Sequence, residues 1–269
     1  MLPNGRLRLP GVGDVPVRWS RDLPSAPSSV TVTMDAAGRY HASFVVDVPD
    51  QPLPLVPHEV GIDLGLTHFA VLSDGTKVDA PRLARKAQAK LRTAQKELAR
   101  RQKGSARRER ARRKVARCHA RVGNTRRDWL HKLSSTIVRE NQAVYVEDLA
   151  VSGLARTKLA RSVHDAGWST FTAMLEYKAR RHGRTFARVD RWFPSTRACS
   201  VCGAIGEAKP LHVRSWTCPC GAVHDRDVNA AKNILAAGRA DSPTLVEPVS
   251  AGTPVPHPAV KREPAGSTA

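Results

Sequence analysis

The sequence is short of acidic residues and of long apolar runs. Against 44 lysines and arginines stand only 24 aspartates and glutamates, so the 269-residue chain carries a formal net charge of +20. No apolar run approaches the ~18 residues of a membrane span, and no signal-peptide core follows Met1. We therefore expect no membrane partner and a cytoplasmic, nucleoid-associated protein. The charge excess predicts a polyanionic partner, most simply nucleic acid.

Cysteine is also scarce, and its five copies are too few and too clustered for a disulfide framework. Four of them form two pairs, each followed by glycine: Cys199 with Cys202, and Cys218 with Cys220. Such pairs predict a structural Zn²⁺ site of the zinc-ribbon type. The second pair has one intervening residue instead of two, so His212 or His224 could replace one sulfur. The alternative is a metal-free loop of buried thiols.

The stretch from Val60 to Leu66 reads as an apolar strand with one carboxylate, Asp63, at its centre. A buried aspartate is unfavourable unless it is paired or binds a cation. A second apolar run and an Asp74-Gly75 turn signal follow, which predicts a hairpin partner. This arrangement is typical of the first strands of RNase H-like nuclease sheets. The alternative is a core strand whose aspartate caps a helix or pairs with an arginine.

Further carboxylates occupy comparable positions. A second apolar strand ends in Glu147 and Asp148, and strand alternation favours Glu147 as the one that faces a shared cation site. Asp227 stands at the start of a helix that we expect to end at Gly238. Asp225 is its rival for the metal role, and a plain helix N-cap is the alternative for Asp227.

Positive charge is concentrated in an arm over residues 80–140. Between Arg82 and Arg127 there are nineteen lysines and arginines but two acids. Apolar residues recur at helical spacing on both sides of a break near Gly104, which predicts a hairpin of two helices. A solvated pair of charged helices is the alternative, although mixed charges are usual there. We expect contacts to nucleic-acid phosphates from seven residues: Arg100, Arg101, Lys103, Arg107, Arg108, Arg112 and Arg113.

Taken together, these motifs resemble the TnpB family of transposon-encoded proteins, which is related to type V CRISPR effectors. The resemblance is carried by Gly61-Ile62-Asp63-Leu64-Gly65, Val146-Glu147-Asp148-Leu149, the cysteine pairs with the preceding residues 193–199, and the Asp-Arg-Asp-Val-Asn-Ala-Ala motif of residues 225–231. It covers about residues 1–238, and the motifs are specific in combination.

The resemblance implies an α/β fold with an RNase H-like, RuvC-type mixed sheet. Its parts would be a partial β wedge module (1–57), the RuvC-like domain (58–198) with the helical hairpin (80–140), a zinc ribbon (199–222) and a final helix (223–238). After Arg239 the composition, rich in proline, alanine, serine and threonine, predicts a disordered tail (239–269). The family's N-terminal helical recognition region has no counterpart in this sequence, which suggests that an upstream part is missing.

The resemblance also implies the chemistry. The family's catalytic acids fall on Asp63, Glu147 and Asp227, which would hold Mg²⁺ or Mn²⁺, while the four cysteines would hold structural Zn²⁺. Characterised members are RNA-guided DNA endonucleases, so DNA and a guide RNA are the expected partners. Two other functions stay open: a truncated chain that binds nucleic acid without cleaving it, and a transposase that joins strands.

Overall fold

Two short β-hairpins lie at the start of the chain, of which the computed structural model describes residues 5–210 and 212–241. Strand β1 (Leu7–Leu9) pairs antiparallel with β2 (Gly13–Val15), and β3 (Ser29–Met34) pairs antiparallel with β4 (Tyr40–Val45). Neither hairpin joins the main sheet. The β-rich character predicted for residues 1–57 is therefore present as two separate hairpins.

A five-stranded mixed sheet forms the core. Its strands are β5 (Glu59–Leu64), β6 (His68–Leu72), β7 (Lys77–Asp79), β8 (Ala143–Glu147) and β9 (Thr185–Val189), in the spatial order β7-β6-β5-β8-β9. The first three form an antiparallel meander, whereas β8 and β9 run parallel to β5. The predicted mixed α/β sheet is confirmed, and its two acid-bearing strands, β5 and β8, are direct neighbours.

The second helix of the basic arm and a later helix cover one face of this sheet. Helix α1 (Leu83–Ala99) pairs with α2 (Ala106–Glu140), which gives the predicted hairpin, and α2 continues onto the sheet beside α5 (Trp168–Arg181). There the ring of Phe69 meets those of Trp129 and Phe171 edge-on, at centroid distances of 4.7 and 5.0 Å. The short helices α3 (Val151–Leu154) and α4 (Ala160–Ala166) connect β8 to α5.

The opposite face is covered by α6 (Arg226–Asp241), which follows a small hairpin of β10 (Ser215–Thr217) and β11 (Val223–Asp225). Gly61 of β5 brings the strand and the helix into backbone contact. A Cβ atom at Gly61 would overlap the carbonyl oxygen of Ala231 and lie 2.9 Å from Leu235 Cβ.

The predicted end of the last helix at Gly238 is wrong. Helix α6 continues to Asp241, and Gly238 is buried inside it against the ring of Tyr145, which a Cβ atom would overlap. The glycine serves close helix–strand packing instead of a C-cap. Of the tail expected over residues 239–269, the part from residue 242 onward lies outside the described residues. No helix in the described part of the chain has the length and apolar character needed to cross a bilayer.

Replacing Gly61 with alanine is expected to lower the free energy of unfolding by about 1–3 kcal/mol, because α6 must move away from β5. Gly123→Ala is the matched control, since Gly123 lies in α2 with no atom within 4 Å of the new Cβ and should gain up to about 1 kcal/mol of helix propensity. Urea unfolding followed by circular dichroism measures both. Equal effects of the two substitutions would contradict the close packing of α6 on β5.

Candidate functional site

Asp63, Glu147 and Asp227 come from three neighbouring elements. Asp63 lies on β5, Glu147 lies at the end of the adjacent parallel strand β8, and Asp227 lies in the first turn of α6. Residues two apart on a strand share a face, so Asp63 is on the side of Gly61, which contacts α6. The fold therefore brings together the three acids that the sequence singled out.

Burial and neighbouring negative charges both raise the pKa of Asp63. Its removal from water, followed by the charges of Glu147 and Asp227, raises the pKa of Asp63 from the usual 3.8 to about 7, against the opposing charges of Arg226 and Arg214. A carboxyl that keeps its proton near neutral pH among other carboxyls marks a place where a cation would be stabilising.

Of the two acids at the end of β8, Glu147 belongs to this centre. The carboxylate of Asp148 is paired with the guanidinium of Arg191, from which it accepts two hydrogen bonds. Burial, and then the charge of Asp148, raises the pKa of Glu147 above its usual value. Glu147 is thus the partly desolvated member of the pair and Asp148 the neutralised one.

Asp225, and not Asp227, caps helix α6. Its Oδ1 accepts hydrogen bonds from the backbone N–H groups of Asp227 and Val228, both at 3.1 Å. Its Oδ2 accepts a hydrogen bond from Lys77 Nζ at 2.6 Å. The alternative that Asp227 is a plain N-cap is therefore wrong, because the residue two positions earlier performs that role.

Arg214, which the sequence analysis did not single out, reaches Asp227. Its Nη1 donates to both carboxylate oxygens of Asp227 at 3.3 Å, and its Nη2 donates to Thr67 Oγ1 at 3.0 Å. Arg214 directly precedes β10, so it ties the cysteine-bearing segment to the carboxylates. No sequence pattern distinguished this arginine from the many others.

The four paired cysteines form a tighter group than the carboxylates. The Sγ atoms of Cys199, Cys202, Cys218 and Cys220 all lie within 4.8 Å of one another. Within the described residues, no other set of three or more potential metal ligands is so closely grouped. Among the carboxylates, Asp227 is paired with Arg214 at 3.3 Å.

Although the second cysteine pair has only one intervening residue, its thiols lie beside those of the first pair. Cys199 Sγ lies 3.8 Å from Cys220 Sγ, and Cys202 Sγ lies 3.7 Å from Cys218 Sγ. His224 Nε2 lies 3.0 Å from Cys199 Sγ, so His224 adjoins the thiols. Four thiols at these distances suit the tetrahedral sulfur coordination that Zn²⁺ adopts in structural sites.

The seven basic residues singled out in the arm divide into two groups. Arg108 donates to the carbonyl oxygens of Leu98 and Arg101 and so closes the end of α1, while Arg112 and Arg113 pair with Glu109. Arg101 acts electrostatically on Glu97, whose pKa its charge helps to lower. In the described structure the other three have no side-chain partner within the chain: Arg100, Lys103 and Arg107.

A groove of about 650 Å³ between α1 and α2 adds basic residues that the sequence analysis did not name. Their helical positions were visible in the sequence, but which face of each helix borders the groove depends on how the two helices pack. The basic side chains that line it are Lys86, Lys90, Lys114, Arg117 and Arg121.

Comparison with known proteins gives matches over most of the chain. The model of a family described as "Probable transposase" matches residues 43–158, and the model "Cas12f1-like, TNB domain" matches residues 168–234. A protein of Streptomyces pristinaespiralis named "Putative RNA-guided DNA endonuclease" is 47% identical over 272 residues, which cover 99% of this chain and 68% of the relative. InsQ of Escherichia coli (strain K12), named in the same way, is 32% identical, covering 88% of this chain and 63% of InsQ. The chain thus spans about two thirds of the length of these relatives.

Two solved structures share the fold. The structure of a Cas12f1-sgRNA-target DNA complex aligns with a TM-score of 0.55 and 16% identity, covering 72% of this chain and 42% of Cas12f1. A CRISPR-Cas12f ternary complex aligns with a TM-score of 0.54 and 18% identity, covering 74% and 42%. At such identities the likeness shows that this chain has the mixed α/β fold of Cas12f1.

The raised pKa of Asp63 predicts an unusual pH dependence of stability in metal-free buffer. Between about pH 4 and pH 7 the folded chain holds a proton on Asp63 that the unfolded chain releases, so the free energy of unfolding falls as the pH rises through that window. Asp63→Asn removes this penalty. It is expected to stabilise the protein at pH 8 by on the order of a few kcal/mol, with little effect at pH 4.

The measurement is urea unfolding with EDTA at several pH values. Asp50→Asn, at an exposed carboxylate, is the control and should change the stability little at any pH. A wild-type stability that rises from pH 4 to pH 7 relative to Asp63→Asn would contradict the raised pKa.

Proposed function

We propose, from the premise that this chain belongs to the TnpB family of transposon-encoded proteins, that it is an RNA-guided, divalent-metal-dependent DNA endonuclease of the RuvC type. The observation that carries the proposal is the convergence of Asp63, Glu147 and Asp227 from two neighbouring strands and the first turn of α6. This convergence, together with burial, raises the pKa of Asp63 to about 7. A protein gains no stability from such a cluster, so its presence is best explained by a cation that the cluster binds.

The donor set agrees with the proposed metals. Asp63, Glu147 and Asp227 offer only carboxylate oxygens, which Mg²⁺ and Mn²⁺ prefer. Such ions, when bound in pairs, supply an activated water and stabilise the leaving oxygen of a phosphodiester. The chain's own contribution is to hold the three acids on a rigid sheet and helix, with Asp225 keeping the first turn of α6 capped beside them.

The four thiols support a structural Zn²⁺ site. With four sulfur donors it would be closed to substrate, so we assign it no catalytic step. The cysteine segment leads through β11 into α6, and Arg214 of the same segment donates to Asp227. A metal that fixes this segment would therefore also fix Asp227.

The charge of the arm supports DNA and a guide RNA as partners. Arginines and lysines without acidic partners suit phosphates, and such contacts do not depend on base sequence. Sequence choice would then come from base pairing between guide and target. In this proposal residues 1–57 are a β wedge module, 58–198 the RuvC-like domain, 199–222 the zinc ribbon, and α6 the final RuvC helix.

Asp63→Ala is expected to abolish Mg²⁺-dependent cutting and to leave DNA binding intact, because the aspartate holds the ions and not the strand. The assay uses protein purified with the RNA that co-purifies with it, DNA substrate, and Mg²⁺ or EDTA. A sharper pair is Asp227→Asn, which should stop cutting, against Asp225→Asn, which keeps a capping side chain and should still cut.

Cutting by purified Asp63→Ala at the wild-type rate would overturn the assignment. Salt-sensitive DNA binding by the wild type with no Mg²⁺-dependent product would support a binding module instead. Recovery of joined strands would support a transposase.

The zinc proposal predicts one tightly bound Zn²⁺ per chain, measured by elemental analysis of purified protein. Cys220→Ser should lose it, because Cys220 belongs to the thiol set despite its short spacing from Cys218. Cys118→Ser is the control, since Cys118 lies in α2 outside that set, and it should retain the metal. Equal zinc content in both variants would exclude Cys220 as a ligand.

A further inference from the structure

We propose that a pocket at the start of α1 binds a backbone phosphate of the DNA strand, an inference that rests on the proposed function. The pocket has a volume of about 390 Å³ and lies between the end of β5, the turn before α1, and helix α4. A volume of this size falls at the small end of ligand sites and suits one nucleotide of a single strand.

The positive charge of the pocket favours an anionic ligand. Arg82, Arg85 and Arg161 line it, all three are exposed, and within the described residues none has an acidic partner. The one acid in its lining is Asp165, and that carboxylate is already engaged by Arg126 Nη2 at 2.8 Å and by the backbone N–H at position 84 at 3.2 Å. Guanidinium groups match phosphate oxygens in geometry as well as in charge.

The backbone at Arg82 supports a functional role for this side chain. Arg82 has φ 46° and ψ 46°, and it is the one non-glycine residue with positive φ in the described chain. This conformation is unfavourable for a residue with a Cβ atom, and glycine would adopt it freely. Residues held in such conformations cluster at ligand-binding sites.

The pocket adjoins the end of β5, the strand that carries Asp63. Gly65 of the lining lies two residues beyond Asp63, which corresponds to about 7 Å along an extended chain. A phosphate held there would help to position the strand on the protein.

Arginine footprinting tests the contact directly. The full chain, in EDTA so that no cutting occurs, is treated with phenylglyoxal with and without a twelve-nucleotide single-stranded DNA, and modification is located by mass spectrometry. Arg82, Arg85 and Arg161 should become protected in step with the fraction of protein bound. The exposed Arg18, in the N-terminal segment, should react at an unchanged rate. Equal reactivity of the pocket arginines with and without DNA would overturn the proposal.

Substitutions separate binding from folding. Arg82→Gly removes the guanidinium and suits the positive φ, so it should weaken binding of the same oligonucleotide about tenfold, the size of one charge-assisted hydrogen bond, while the urea midpoint stays the same or rises. Arg161→Gln should behave similarly, and each should reduce the slope of log Kd against log salt by about 0.7. Arg18→Gln is the charge-matched control. Unchanged affinity in both pocket variants, or a loss of stability in Arg82→Gly, would overturn the proposal.

The source of the phosphate is tested with inorganic phosphate as a second probe. Protection of the three arginines by inorganic phosphate at concentrations as low as those of the oligonucleotide would assign the pocket to a free anion and overturn the strand proposal. Protection by DNA from a chain that never cuts would support the pocket and count against the nuclease. Asp63-dependent cutting without protection of the pocket arginines would support the nuclease and overturn the pocket proposal.

Discussion

The burial of one carboxyl group on a sheet face that a helix closes is the constraint on which this structure depends. Asp63 loses water when α6 packs on β5, and that packing requires Gly61, because any larger residue would push the helix away. The same contact that builds the core therefore creates the electrostatic problem at Asp63. A cation would resolve it, which is why packing and proposed chemistry cannot be separated here.

The helix that closes this face also receives the cysteine-bearing segment. Asp225 ends β11 and caps α6, Arg214 directly precedes β10 and holds Asp227, and Lys77 of the sheet binds Asp225. The thiols thus lie on the same short path of chain as an acid of the centre. Order in the cysteine segment is transmitted to the carboxylates by covalent continuity and by these side-chain contacts.

Charge is distributed so that positioning and chemistry occupy different places. The arm carries cations that repel one another, and only some are neutralised internally, as Arg112 and Arg113 are by Glu109. The remainder face solvent and suit phosphates. The carboxylates lie on two strands of the sheet and on α6, and the arginine-lined pocket lies at the start of α1.

Local patterns in the sequence were enough to predict the two apolar strands with Asp63 and Glu147, the basic helical hairpin, and the paired cysteines. Strand alternation also favoured Glu147 over Asp148. The sequence did not identify the role of Arg214, the capping role of Asp225, or the pocket lined by Arg82 and Arg161.

Those features depend on contacts between different elements of the fold. Each joins side chains that are separated along the chain, or depends on which face of a helix meets a neighbour. Gly238 shows the difference most clearly. From the sequence we expected it to end the helix, whereas in the fold its missing side chain leaves room for the ring of Tyr145. Periodicity reports the faces of single elements, and only packing shows which faces meet.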